Sequence, residues 1–424
     1  MRSSKRSSKT APIGENDDVS ATTSSAPHLL RGRVVTPHGV IPDGVVVIDG
    51  PTITWVGPAD EAQGQVPAAT EETLLPGLVD LHNHGGGGAS LPDAQTADEV
   101  RTAAREHLRH GTTSLVASLV TAPRDVLLAR TALLADAADA GEVVGIHLEG
   151  PFLSEARCGA QNPADMLSGD ADLVRELAAA ARGHLVTMTV APEVAGVADR
   201  DADVLRALVD AGAIPSIGHT DASAEQVDAA VDRGFDLLAT HDRARSSRLT
   251  ATHLFNGMRP LHHRDPGPIA ACLAAAGRGE LVVELVADGT HLADGTTRAV
   301  FDLLSPGSIV LVTDAMAAAG MADGDYQLGP MGVRVQDGVA RIVEADGSAG
   351  AIAGGVAHLL DVLRQVVRAG IPLEDAVRAA STTPAEVLGR ADLGALAAGR
   401  RADVLVTDAG LRPLRVLRAG AQVA

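Results

Sequence analysis

Aromatic side chains are nearly missing from this 424-residue chain, which has one Trp, one Tyr and four Phe. That scarcity argues against a nucleic-acid binder that stacks bases on aromatic platforms, and it requires a core built from Ala, Val, Leu and Ile, the residues that fill barrel layers. Cysteine is scarce too: Cys158 and Cys272 stand alone, with no CxxC pair. A disulfide framework is excluded, and a reducing compartment, the cytoplasm, is expected. Lysine occurs only at Lys5 and Lys9, so nothing beyond the N-terminal segment can become a carboxylated lysine bridging two metal ions. The apolar runs have strand length, short of the roughly 20 residues a bilayer span needs, so no membrane partner is expected. Residues 1–27 are rich in Ser, Thr, Ala and basic side chains and lack a signal-peptide core; they read as a disordered tail. The formal charge of −19 opposes nucleic acid as a partner and leaves room for a local basic pocket.

What is present is an apolar 46% arranged in a repeating order. Eight strand-like runs, at 77–82, 113–120, 143–148, 185–190, 213–217, 249–253, 282–287 and 309–313, alternate mostly with helical patterns. This alternation predicts an α/β fold, a (β/α)8 TIM-type barrel, over 76–390, with an inserted hairpin at about 321–350. Short alternating segments at 28–75 and 391–424 predict a small β-sandwich domain built from both chain ends. The charged stretch 240–248 reads as an exposed insertion.

Six of the eight runs end in a residue that can bind a metal or move a proton: His82 and His84, Glu149, His219, His253, His291 and Asp314. Polar groups at the C-terminal ends of successive strands are where barrel enzymes keep their chemistry. His82 and His84, two apart on a strand, face the same way, and an isolated HxH is a weak signal. Glu149, His219 and His253 make a set of three protein ligands that leaves room for water. Any one of them alone would read as a salt-bridging carboxylate or a satisfied core histidine. Asp314 suits a proton shuttle, with a helix N-cap as its plainer role. His291 suits holding a substrate or polarising its carbonyl. His147 reads as a packing residue below the metal layer. Gly85 to Gly88 lack the Lys-Ser/Thr of a phosphate loop, and Arg264, on a polar loop near a helix start, suits a phosphate.

Taken in order, Leu75-Pro76-Gly77-Leu78-Val79-Asp80, His147-Leu148-Glu149-Gly150-Pro151-Phe152, Gly218-His219-Thr220, Thr252-His253-Leu254-Phe255-Asn256 and Val312-Thr313-Asp314-Ala315 resemble the N-acetylglucosamine-6-phosphate deacetylases of the amidohydrolase superfamily, from about residue 29 onward. The resemblance implies hydrolysis of a phosphorylated amino sugar in amino-sugar catabolism. It implies Glu149, His219 and His253 on the principal divalent metal, with His82 and His84 able to hold a second ion, and Asp314 as the shuttle. Zinc is the first choice of metal, with iron, cobalt or manganese as alternatives. Further implied are substrate contacts from Ala160, Gln161, Asn256, Gly257, Asp288, His291, Ile352, Ala353 and Gly354, and a homodimer in which Arg264 crosses the interface. Gln161 stands where many relatives place a histidine. A deaminase, an N-acyl amino acid hydrolase and a catalytically inactive barrel scaffold are the competing readings.

Overall fold

The computed structural model describes residues 28–199, 203–242 and 244–424. The expected tail, 1–27, lies outside them.

Eight parallel strands form the central sheet: Leu78–Asn83, Thr112–Leu119, Gly145–Glu149, Leu185–Val190, Ile214–Ile217, Leu249–Ala251, Leu281–Leu285 and Ile309–Leu311. The seam between the first and eighth is closed just past the strands. There the Asp314 N–H donates to the His82 carbonyl at 3.0 Å and the His84 N–H to the Ala315 carbonyl at 2.7 Å. That closure brings Asp314 beside the HxH pair. The strands are buried along their whole length and alternate in role. On the third, Ile146 and Leu148 join the core shared with the helices, while His147 and Glu149 make polar contacts. Beneath the strand ends a hydroxyl layer crosses the barrel: His147 bonds Thr187 (2.7 Å) and Thr189 (3.2 Å), and Thr252 bonds Thr189 (2.7 Å) and Ser216 (2.6 Å). This satisfies the buried imidazole that sequence reading placed below the metal layer.

Helices start where the sequence can cap them. Thr96 with Glu99, and Ser223 with Gln226, form capping boxes at Ala97–Arg109 and Ala224–Thr240, worth about 1 kcal/mol each. The second of these helices runs on to Thr240, because Gly234 packs against Leu249 and Leu238 is buried, so the apolar face continues. Residues after it are not simply exposed. Arg245 donates to the Gly212 carbonyl (3.0 Å) and Arg248 to the Gly307 carbonyl (2.7 Å), both in loops that lead into strands, which pins the stretch to the barrel's N-terminal face.

The chain ends meet in one seven-stranded sheet, in which Thr73–Pro76 pairs with both His28–Thr36 and Val404–Thr407. Leu30, Val46, Ile53, Leu74, Val404 and Leu417 form its own core. The inserted segment is larger than a hairpin, a four-stranded antiparallel sheet over Gly324–Leu328, Met331–Gln336, Val339–Val343 and Ala349–Ile352. One of its two-residue turns is Asp337-Gly338, with φ of 51° and 72°, the left-handed pair such a hairpin loop needs. Val333, Val335 and Ile342 pack it onto Met316 and Ala317, just past the eighth strand, so it lies over the C-terminal end of the barrel strands.

Candidate active site

Glu149 ends the third strand almost fully buried, and both of its oxygens are engaged. Oε1 lies 2.8 Å from His219 Nε2 and 2.8 Å from His253 Nε2. Oε2 lies 3.0 Å from His84 Nε2 and 3.7 Å from His82 Nε2, and accepts the Gln161 amide at 2.8 Å. Asp314 Oδ1 is 3.4 Å from His84 Nε2 and 3.5 Å from His82 Nε2, and those two nitrogens are 2.9 Å apart. One carboxylate therefore stands between two groups of imidazoles, Glu149/His219/His253 and His82/His84/Glu149.

Three of these residues follow their strands in the left-handed region: φ is 46° at His219, 28° at His253 and 48° at Asp314. Non-glycine residues adopt it at a cost of about 1–3 kcal/mol each, and such strain concentrates where side chains must be aimed. Gly257 makes room for one of them: a Cβ there would sit 2.8 Å from His219 Nδ1. The His219 Nδ1–H donates to the Arg157 carbonyl at 2.8 Å, which turns Nε2 toward Glu149.

Burial alone would push the Glu149 carboxyl up, but His219, His253, His82 and His84 together hold it far below the ordinary range. Asp314 is depressed likewise by His82 and His84 against its burial. Burial would lower the three imidazoles His82, His84 and His219, but the carboxylates raise them. At 2.9 Å, His82 and His84 cannot both carry an Nε2 proton, so one proton or a cation must lie between them. A divalent ion fits the same place. Bonds of about 2.0–2.1 Å in a tetrahedral site put donor atoms roughly 3.3–3.4 Å apart, and the donor separations around Glu149 Oε2 and Asp314 fall on either side of that. Two buried carboxylates facing four imidazoles are the donor set zinc, iron, cobalt or manganese take.

The cluster opens into a cavity of about 250 Å³ lined by His84, Glu149, Ala160, Gln161, His219, His253, Asn256, Gly257, His291, Asp314, Ile352 and Gly354. His82 lies beneath it, fully buried. Asp288 stands behind His291, bonded to its Nδ1 at 2.8 Å. Burial would lower His291, but Asp288 outweighs it and raises the imidazole above its ordinary range. Three expected substrate contacts, Asp288 among them, are not part of that lining. The Ala353 side chain is buried in the core under the inserted sheet, while Ile352 and Gly354 line the cavity. Arg264 is exposed and does not line this chain's own cavity; the turn closed by the Asp265 N–H to the His262 carbonyl (3.0 Å) carries it outward. Gln161 reaches the cavity with its amide committed: Nε2 to Glu149, and Oε1 accepting the Thr121 N–H at 2.8 Å.

Sequence reading missed two carboxylates. Asp80 accepts from Thr313 Oγ1 (2.6 Å), Thr313 N (3.2 Å) and Asn83 Nδ2 (3.2 Å) across the barrel seam, and burial pushes it up to about 6. Glu284 lies under His82 and His253, within 3.3 Å of each. Arg259 was missed as well; it ties the loop after His219 to the loop before Gly267 through the Ala222 carbonyl (2.8 Å) and Asp265 (3.1 Å). The signal for Glu284 was a lone charge inside an apolar strand.

Comparison with known proteins agrees with this geometry. The amidohydrolase family profile matches residues 73–422. The N-acetylglucosamine-6-phosphate deacetylase of Bacillus subtilis (strain 168) is 32% identical over 389 residues, covering 88% of this chain and 91% of that protein. The N-acetylgalactosamine-6-phosphate deacetylase of Escherichia coli O157:H7 is 31% identical, covering 91% and 96%. Among solved structures, N-acetyl-D-glucosamine-6-phosphate deacetylase from Mycobacterium smegmatis, an Asp-to-Ala mutant in complex with N-acetyl-D-glucosamine-6-phosphate, superposes with a TM-score of 0.85 at 38% identity, covering 94% of this chain and all of that one. A parallel barrel with imidazoles and carboxylates gathered at its strand ends, matched over most of its length, identifies the chain as a member of the amidohydrolase family.

Proposed function

We propose that the chain hydrolyses the acetamide of N-acetylglucosamine 6-phosphate to glucosamine 6-phosphate and acetate. The observation that carries this reading is the convergence of Glu149, His219 and His253 with Asp314 and His291 on one cavity, in a chain similar to named deacetylases over most of its length.

Glu149, His219 and His253 would hold the principal divalent ion, zinc by first choice, and His82 with His84 a second. When bound, such an ion supplies Lewis acidity, bringing the pKa of water from 15.7 to about 7. Asp314, at the cavity floor and held ionised by its imidazole neighbours, takes a proton from the attacking water and passes it to the amide nitrogen as the carbon–nitrogen bond breaks. His291, oriented by Asp288, which raises its pKa, donates to the acyl oxygen as negative charge develops there. Asn256 and Gly257 line the cavity where the sugar phosphate would lie, and Arg264, exposed at a loop end, would complete the phosphate site of a second subunit in a cytoplasmic homodimer.

Acetate release with N-acetylglucosamine 6-phosphate and with N-acetylglucosamine tests this. The phosphorylated sugar should be preferred by about 100-fold or more in kcat/KM, as expected when a site built for a charged group is left unfilled. Equal rates remove the phosphate from the reading. The Escherichia coli relative favours a second substrate, N-acetylgalactosamine 6-phosphate, to be run alongside.

A further inference from the structure

Glu284 sits in the seventh barrel strand, 1% exposed, between Val283 and Leu285, which pack into the core shared with the helices. An aliphatic residue would fill such a place without the desolvation a carboxylate requires. Its Oε2 lies 3.3 Å from His82 Nδ1 and 3.3 Å from the backbone N–H of His253; its Oε1 has no hydrogen-bond partner among the described residues. The carboxylate is thus aimed at His82 at the expense of its other oxygen. An imidazole whose Nδ1–H donates to a carboxylate presents its Nε2 lone pair outward in one fixed orientation and is a more basic ligand. The Nε2 of His82 faces His84 Nε2 at 2.9 Å, Asp314 at 3.5 Å and Glu149 at 3.7 Å. His84 has no such support among the described residues, where its Nδ1 is unpartnered.

We infer that Glu284 is a positioning residue for a metal ion at the His82/His84 position: it fixes the Nδ1–H tautomer of His82 and thereby sets how tightly that position holds its ion. The inference rests on the reading of His82 and His84 as metal ligands. Because the same Oε2 accepts the His253 N–H, Glu284 also joins the two ligand groups mechanically, but among the described residues His82 is the only side chain hydrogen-bonded to it.

The test is metal binding, not turnover. Wild type, E284Q, H82Q and the E284Q/H82Q double variant are stripped with chelator and titrated with Zn²⁺ against a competing indicator, with stoichiometry from elemental analysis. Wild type should take two ions. E284Q should keep the tighter one and bind the other about 10- to 100-fold more weakly. In the H82Q background E284Q should change nothing further, a result that a merely structural role for Glu284 would not give. A wild-type second constant in E284Q, equal weakening of both ions, or additive losses in the double variant overturns the inference. So does a wild type that binds one ion, whereas deacetylation by that one-ion protein would leave the proposed function standing. Should E284Q not fold, ¹⁵N shifts of the His82 ring in zinc-loaded wild type decide: Nδ1 protonated supports the inference, and Nε2 protonated overturns it.

Discussion

Gln161 donates its amide to Glu149 Oε2 at 2.8 Å, and His84 Nε2 approaches the same oxygen at 3.0 Å. The amide and any cation beside His84 therefore share one lone-pair donor, while Oε1 stays with His219 and His253. Gln161→Ala should free Oε2 and tighten the second ion, by about 10- to 150-fold if one hydrogen bond to a charged group, about 1.5–3 kcal/mol, is at stake. KM for the sugar should change little. A tenfold rise in KM with unchanged metal binding would make Gln161 a substrate contact instead. Zinc titration and steady-state kinetics on the same preparation check it.

Asp314→Asn keeps the shape of the side chain and removes its ability to take a proton. The expected result is a kcat lower by about 10²–10⁴, the usual worth of a general acid–base, with the metal content of the Glu149 group retained by elemental analysis. A rate within tenfold of wild type would place the shuttle elsewhere.

The His291/Asp288 pair should shape the alkaline side of the pH profile. His291 is raised from its ordinary 6.5 by Asp288, so it gives up its proton at a higher pH than a free imidazole does. kcat/KM should fall as pH rises through that raised value. Asp288→Asn removes the charge that raises it, so the alkaline limb should move to lower pH; an unmoved limb would assign it to another group. The pair's contribution to stability has the matching signs. The His291 share is complete below 6.5 and lost as pH climbs past the raised value, and the Asp288 share is complete above its ordinary 3.8 and lost in acid as pH falls through its lowered one.

Gly257→Ala tests the strained geometry. With φ of 61° and a would-be Cβ 2.8 Å from His219 Nδ1, alanine must displace that ring or distort the loop. A loss of about 1–3 kcal/mol in stability is expected, together with weaker binding of the first ion. Thermal melts with and without zinc measure both, and wild-type values in both would contradict the described packing.

Glu149, His219, His253 and Asp314 could be found from sequence because each directly follows an apolar run, and a closed barrel brings strand ends together whatever the loops do. Glu284 differs. Its meaning depends on His82, 202 positions away, lying across the barrel, and a single carboxylate in Leu281–Leu285 carries no mark of that neighbour. Gln161 was singled out as a departure from the resemblance, but its bond to Glu149 needs the loop after the third strand to fold back, which strand periodicity does not encode. Length was also misjudged where local pattern and tertiary packing part. The segment expected as a hairpin at about 321–350 instead forms four strands, turned at Asp337-Gly338 and its neighbouring loops.

The convergence of Glu149, His219 and His253 on one cation is most directly tested by a crystal of the protein grown with zinc and measured at the zinc absorption edge. An anomalous peak about 2.0–2.2 Å from Glu149 Oε1, His219 Nε2 and His253 Nε2, with Asp314 facing it across the cavity, is the expected result. Full zinc occupancy elsewhere on the chain with no peak among those three atoms would contradict it.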